Sequence, residues 1–262
     1  MSMPAEARST RGTEMFARYA YAPNRLGYCG PAEISALRGG AADRVRAAAR
    51  QFTGAWPYLR VMSRMTGIAD PLDLRLVESY WIGGGVGAGL DPDAFVTELL
   101  AVIGPAAGHY WQYLAEESLA GEAAANHCFH VFGIYPWSRL LGRGGEQPIR
   151  VLDCCRISWG TVTARHDDEL TVRRRRLRFD EGRLLLSEPA ALSVPVWEDG
   201  YSAVPDAAPG QLVALHWDRL CGPLTPVQLR TLAVTTARQL RVTNRRLAHQ
   251  PTGVATAGDR RR

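Results

Sequence analysis

The residues able to hold a soft metal or to attack a carbonyl fall at four places along the chain. The first is 150–162, where Asp153 precedes the doubled thiol Cys154-Cys155 and alternating apolar positions run on to Gly160. This is the pattern of a strand with a thiol at its mouth. The second is Pro209-Gly-Gln-Leu-Val-Ala-Leu-His-Trp217, a turn running into a strand that ends on His216. A soft thiolate and an imidazole are suitable ligands for a transition metal. The intervening runs 169–177 and 183–186 are separated by the turn formers Asp167-Asp168 and Asp180-Glu181-Gly182. Short strands at this spacing predict a small barrel.

The third place is Cys29, bracketed by Gly27, Gly30 and Pro31. Proline is favoured at the first position of a helix, and a thiolate there is stabilised by free N–H groups and the helix dipole. Tyr28-Cys-Gly-Pro-Ala32 is loosely similar to the nucleophile segment of papain-like peptidases and phytochelatin synthase. A nucleophile of that kind needs a base and an orienting group. His127 or His130 with Asp153 would supply them, and Asn24 would replace the usual oxyanion glutamine. The simpler reading makes Cys29 a small buried hydrophobe. His127 and His130, the fourth place, are three apart and share a helical face, a spacing used by metal sites in helical bundles and by ordinary hydrogen-bonded cores alike.

The segment 150–232 resembles the HypC/HupF family of [NiFe]-hydrogenase maturation chaperones, small barrels with a short helical tail. Cys155 precedes Gly160 by the family's five positions. Gly210-Gln-Leu-Val-Ala-Leu-His216 matches its G-x-x-V-x-x-H strand, and Leu224-Thr-Pro-Val-Gln-Leu-Arg-Thr-Leu232 stands where its helix starts. The resemblance covers about a third of the chain, and the whole chain resembles an uncharacterised hydrogenase-associated family. It implies that Cys155 and His216, with Cys154 and Asp153 beside them, contact a transient iron-cyanide-carbonyl fragment or the client hydrogenase large subunit, with other maturation proteins as partners. The family's cysteine stands at the extreme N-terminus, whereas Cys155 is internal, and Trp217-Asp-Arg219 replaces the usual residues after the histidine.

The elements that must position these groups divide the chain in two. Apolar spacing predicts helices over 42–52, 56–65, 70–81, 91–103, 105–119 and 122–140, and 16–31 is too dense in aromatics, glycine and proline for a regular element. The run 83–89 holds five glycines, but the chain has no lysine to reach a phosphate, so it reads as a connector. Residues 141–148 read as a linker and 189–209, with four prolines, as a long loop. Arg173 to Arg176 would alternate between the faces of a strand. A final helix is expected over 227–247. The expected fold is α+β, with an N-terminal helical bundle at 14–142, a small β-barrel with a C-terminal helix at 149–248, and disorder at 1–13 and 250–262.

Composition bounds the function. The 262 residues are 46% hydrophobic with a net charge of +5, ordinary for a globular protein. All 31 basic residues are arginine, a uniformity of coding bias, and nucleic acid is not expected as a partner. No secretion signal and no apolar run of the roughly 20 residues needed to span a bilayer is visible. Five cysteines without framework spacing argue for free thiols in a reducing cytoplasm. Two readings follow. In the first, a non-enzymatic assembly factor brings Cys155 and His216 together at an exposed barrel edge. In the second, a cysteine-dependent acyl-transfer enzyme or peptidase-like protein brings Cys29 within hydrogen-bond reach of His127 or His130. Both hold if Cys29, His130 and Cys155 meet where the halves join.

Overall fold

The computed structural model describes residues 3–32, 35–106, 119, 121–143 and 145–249. Helix α1 (Ala5–Arg25) buries Met15, Phe16, Tyr19 and Ala20, a helical stripe that continues through the aromatic stretch. From Ala5 as far as Arg25, one helix therefore replaces the disordered lead expected over 1–13 and the irregular segment expected over 16–31, while residues 1–2 lie outside the described residues. Proline reads as a breaker, yet Pro23 sits in the last turn, where the helix is ending. Beyond it, Asn24 Nδ2 donates to the carbonyls of Cys29 (3.0 Å) and Pro31 (2.6 Å) and holds the following turn against the helix end.

Helices α2 (Ala42–Ala49) and α3 (Ala55–Thr66) follow, the latter ending at Gly67 in the left-handed conformation, φ 73°. Helix α4 (Leu74–Ile82) begins four residues later than expected, because Asp73 is the cap, accepting from Arg75 N. Asp70 instead accepts from Leu72 N and pairs with Arg46. Helix α5 (Pro92–Ile103) is capped by Asp91. Most of the helix expected over 105–119 lies outside the described residues. The helix expected over 122–140 is shorter and broken: α6 (His127–Phe129), capped by Asn126, widens into a π turn (His130–Ile134) and a 3-10 turn (Pro136–Arg139).

Helix α7 (Gln147–Cys155) corrects the expected strand with a thiol at its mouth. Pro148 occupies its first turn, and Val151, Leu152 and Cys155 are buried at helical spacing. The strand begins only after it. Strands β1 (Ser158–His166), β2 (Glu169–Asp180), β3 (Arg183–Pro195), β4 (Leu212–His216) and β5 (Arg219–Pro223) form one antiparallel sheet in the order β3-β2-β1-β4-β5. The sheet is open, so the expected barrel is not formed. The first part of the expected 189–209 loop is the end of β3, and an edge strand tolerates the missing N–H of Pro189 and Pro195.

Helix α8 (Pro226–His249) is the last described element, and the disorder expected over 250–262 lies outside the described residues. The main core joins Phe16, Tyr58, Leu59, Tyr80, Trp81 and Phe129 of the helices to Ile157, Ala214 and Cys221 around the sheet. A second core, with Val162, Leu170, Val172, Val194 and Val213, lies within the sheet region. No helix among the described residues is long and apolar enough to cross a membrane.

Candidate functional site

Three elements deliver donors to one point at the seam between helices and sheet. The start of α6 brings His127, the last turn of α7 brings Cys155, and the end of β4 brings His216; all three are buried, with one ligand atom of each lying within 4.8 Å of the others. Cys29 and His130 line the same cavity, about 120 Å³ in volume, which is walled by Tyr80, Trp81, Tyr135 and Trp217. Five of the residues singled out in the sequence thus share one pocket. It lies at the seam, where Cys155 and His216 are buried, and not at the exposed edge expected for them.

Hydrogen bonds assign the protons. His216 Nδ1 lies 2.7 Å from the Tyr19 carbonyl oxygen, which can only accept, so Nδ1 carries the hydrogen. The buried Nε2 makes no well-formed hydrogen bond, although the Cys155 backbone also lies against this ring. A histidine whose second nitrogen is anchored by a carbonyl is the usual arrangement of a metal ligand. His127 Nε2 lies 2.9 Å from the Cys155 carbonyl oxygen, and its Nδ1 lies 3.1 Å from the Tyr80 hydroxyl. His130 has an unpartnered Nδ1 and stacks between His127 and Tyr135 with centroids 5.9 and 5.7 Å away.

The pocket lining holds no Asp, Glu or Arg side chain. Burial disfavours charge in such surroundings. It lowers His130 and His216 to about 4 and takes His127 well below its usual value, with the neighbouring histidines adding to the effect. It raises the Cys29 thiol to about 12 and pushes Cys155 upward. At neutral pH the site is therefore uncharged, with the imidazoles neutral and the thiols protonated. One thiol and two imidazoles suit a borderline divalent metal, which would displace the Cys155 proton on binding. No hydrogen bond joins Cys29 Sγ to His127 or His130 among the described residues, and no charge stabilises its thiolate.

Asp153 and Cys154 stand apart from this pocket. Asp153 accepts from Arg156 (2.9 Å), Leu177 N (2.7 Å) and Arg174 (3.4 Å), and Arg174 continues to Asp218 at 2.5 Å. The Asp153 carboxylate is thus bonded to arginines and a backbone N–H and to no histidine. The Cys154 side chain faces a different cavity, beside Arg150, Arg176 and Asp218, and burial raises its thiol to about 11. Its carbonyl accepts from Trp217 N at 2.8 Å, tying the Cys154-Cys155 peptide to the turn after His216.

Other contributors were not singled out in the sequence. Trp217 and Asp218 both have positive φ, 53° and 57°, the mark of a two-residue type I′ hairpin. That turn places the Trp217 ring 3.9 Å from Tyr28, a stack against the cavity. Trp81 touches both imidazoles, at 4.8 Å from His127 and 5.7 Å from His216. A Cβ on Gly54 would come within 2.9 Å of His130 Nε2, so glycine there permits the ring's approach. Only the consecutive Tyr80-Trp81 at the end of an expected helix offered a signal.

No curated protein and no solved structure matches the chain. A family model does, over residues 8–250, a span that runs from α1 through α8 and contains all five residues of the pocket. The chain belongs to DUF6390, a family of unknown function.

Proposed function

We propose that this protein is a non-enzymatic metal-holding factor in which Cys155 and His216, joined by His127, take up an iron fragment and pass it to a client. The observation that carries this reading is the convergence of three buried donors within 4.8 Å, one of them an imidazole nitrogen without a well-formed hydrogen bond. Two or three protein ligands leave coordination positions for a cargo that arrives with ligands of its own. The resemblance of 150–232 to HypC/HupF supplies the cargo, an iron-cyanide-carbonyl unit, and the client, a hydrogenase large subunit or another maturation protein. A reducing cytoplasm suits the five cysteines, all free among the described residues.

The test is anaerobic purification from the native host, followed by metal analysis, infrared spectroscopy and identification of co-purifying chains. About one iron per chain, cyanide and carbonyl bands and a hydrogenase large subunit are expected. The metal should be lost in C155S and H216A. A wild-type protein that neither retains nor takes up a transition metal would overturn the reading.

A second reading, acyl transfer by Cys29 with His130 or His127 as base, is favoured by one observation. Cys29 and His130 line the same cavity, and His130 Nδ1 has no other partner. The uncharged surroundings that keep the thiol protonated weigh against it.

A further inference from the structure

We propose that a second cavity, between the glycine-rich run 83–89 and α8, binds a small amphipathic anion, an apolar chain or ring that carries a carboxylate or phosphate. The cavity measures about 480 Å³, within the usual range of small-molecule sites. It shares no lining residue with the pocket of Cys29, His127, His130, Cys155 and His216, so the inference is independent of the metal-holding reading. Gly84 and Gly87 of the run, Phe95 of α5, Ala124 before α6 and Val234 of α8 give it walls that are small or apolar. A Cβ on Gly84 would come within 2.6 Å of Thr231 Cγ2, and its φ is 68°, so glycine is what brings the run this close to α8. Ser79 Oγ donates to the Gly84 carbonyl (2.6 Å) and accepts from Gly87 N (2.8 Å), which holds the run in place as a wall.

Charge enters from α8. Arg230, Val234 and Arg238 recur every fourth residue and share one helical face, which sets the two arginines about 12 Å apart along the axis with the valine between them. All three line the cavity. Arg230 is exposed and makes no hydrogen bond or ion pair among the described residues. Arg238 donates to the carbonyl oxygens of Glu122 (3.3 Å) and Ala123 (3.1 Å), which orient the guanidinium without neutralising it. The Glu122 carboxylate is committed to Arg246 and Thr243, and no Asp or Glu side chain lines the cavity. A guanidinium has five N–H donors in a fork that fits a carboxylate or a phosphate. The cation that the glycine run lacks for want of lysine is thus supplied by arginine across the cavity. Val234, 70% exposed in the middle of this face, is the apolar surface that the body of such a ligand would cover.

The experiment titrates the full chain with octanoate, octyl phosphate, octanol and inorganic phosphate, followed by calorimetry and by 15N chemical shifts. At least one of the two amphipathic anions should bind with a Kd below about 1 mM, and their relative affinities identify the head. Octanol and inorganic phosphate each lack half of the recognised pattern and should bind about tenfold more weakly or worse. Shifts should centre on 84–95, 123–126 and 230–238. Arg230→Glu, at an exposed position with no partner to lose, should keep the wild-type thermal unfolding and weaken anion binding about tenfold or more. Should that variant fail to fold, the wild-type preference for the anions over octanol and the location of the shifts decide. Octanol binding as tightly as the anions, shifts centred elsewhere, a folded variant binding as tightly as wild type, or no binding of either anion overturns the proposal.

Discussion

His216 Nδ1 donates to the carbonyl oxygen of Tyr19 at 2.7 Å, a bond between residues 197 positions apart. The first helix therefore orients the imidazole carried by the fourth strand. Tyr19 lies late in α1, and the same helix, through Asn24, holds the turn that carries Cys29. One helix thus serves two of the five groups in the pocket.

His216→Ala should remove the candidate ligand nitrogen and leave the Tyr19 carbonyl without its donor. A folded variant about 1–3 kcal/mol less stable in urea denaturation is expected, because a buried acceptor loses its partner. Cobalt binding, read from its visible absorption, should be lost. Retention of the wild-type cobalt spectrum would exclude His216 as a ligand.

Acid should destabilise the fold in a defined window. The folded His130 and His216 titrate at about 4, against 6.5 when exposed. Between those values the unfolded chain binds protons that the folded chain does not, so stability is complete above about pH 6.5 and falls as pH drops toward 4. Each ring contributes up to about 3 kcal/mol of this loss, and His127 acts in the same direction. Denaturation midpoints measured from pH 7 to pH 4 check it. A flat profile would mean that the rings are hydrated or charged in the folded protein.

Asp153→Asn should be among the most damaging single changes. Arg156 and Arg174 are each only 2% exposed and both bond this carboxylate. Two guanidinium groups would remain buried with a neutral amide between them, a loss of about 3–5 kcal/mol. Thermal unfolding should show it. A shift of the size seen for surface substitutions would mean that Asp218 or solvent compensates.

Cys29 should react slowly with iodoacetamide. Its thiol, raised to about 12, supplies little thiolate at pH 7.5, and the rate should still be rising at pH 9. Peptide mapping of the modified protein, with glutathione as the reference thiol, measures this. A Cys29 faster than glutathione at pH 7.5 would restore the nucleophile reading.

Strands β2 and β4, the start of β3 and the last helix were legible because alternation and helical spacing are local signals, whereas the end of β3 was expected as a loop and β5 carried no expectation. The burial of β2 alternates as expected through Arg174, whose side chain turns inward to Asp153 and Asp218 while Arg173 and Arg175 stay exposed. What the residues could not announce was closure: whether five strands curl into a barrel depends on what covers them, and here α1, α7 and α8 pack against the sheet. Helix α7 was hidden because Val151-Leu152 and Ile157 also fit a strand, and only Pro148 marked a helical start. The glycines of the resemblance have local uses as well. A Cβ on Gly160 would approach Val172 Cγ1 to 2.5 Å, and Gly210 sits in a turn at φ 88°. The meeting of Cys29, His130 and Cys155 was foreseeable only as one option, since proximity across the seam leaves no periodic trace.

The continuous core has a practical corollary for dissecting this molecule. Severing the chain within 141–148 would strip cover from Phe16, Tyr80 and Trp81 on one fragment and from Ile157, Ala214 and Cys221 on the other. It would also separate the imidazole borne by α6 from the thiol of α7 and the imidazole of β4. Neither fragment expressed alone would carry the donor set, and mixing the two would restore it only to the extent that they refold around each other.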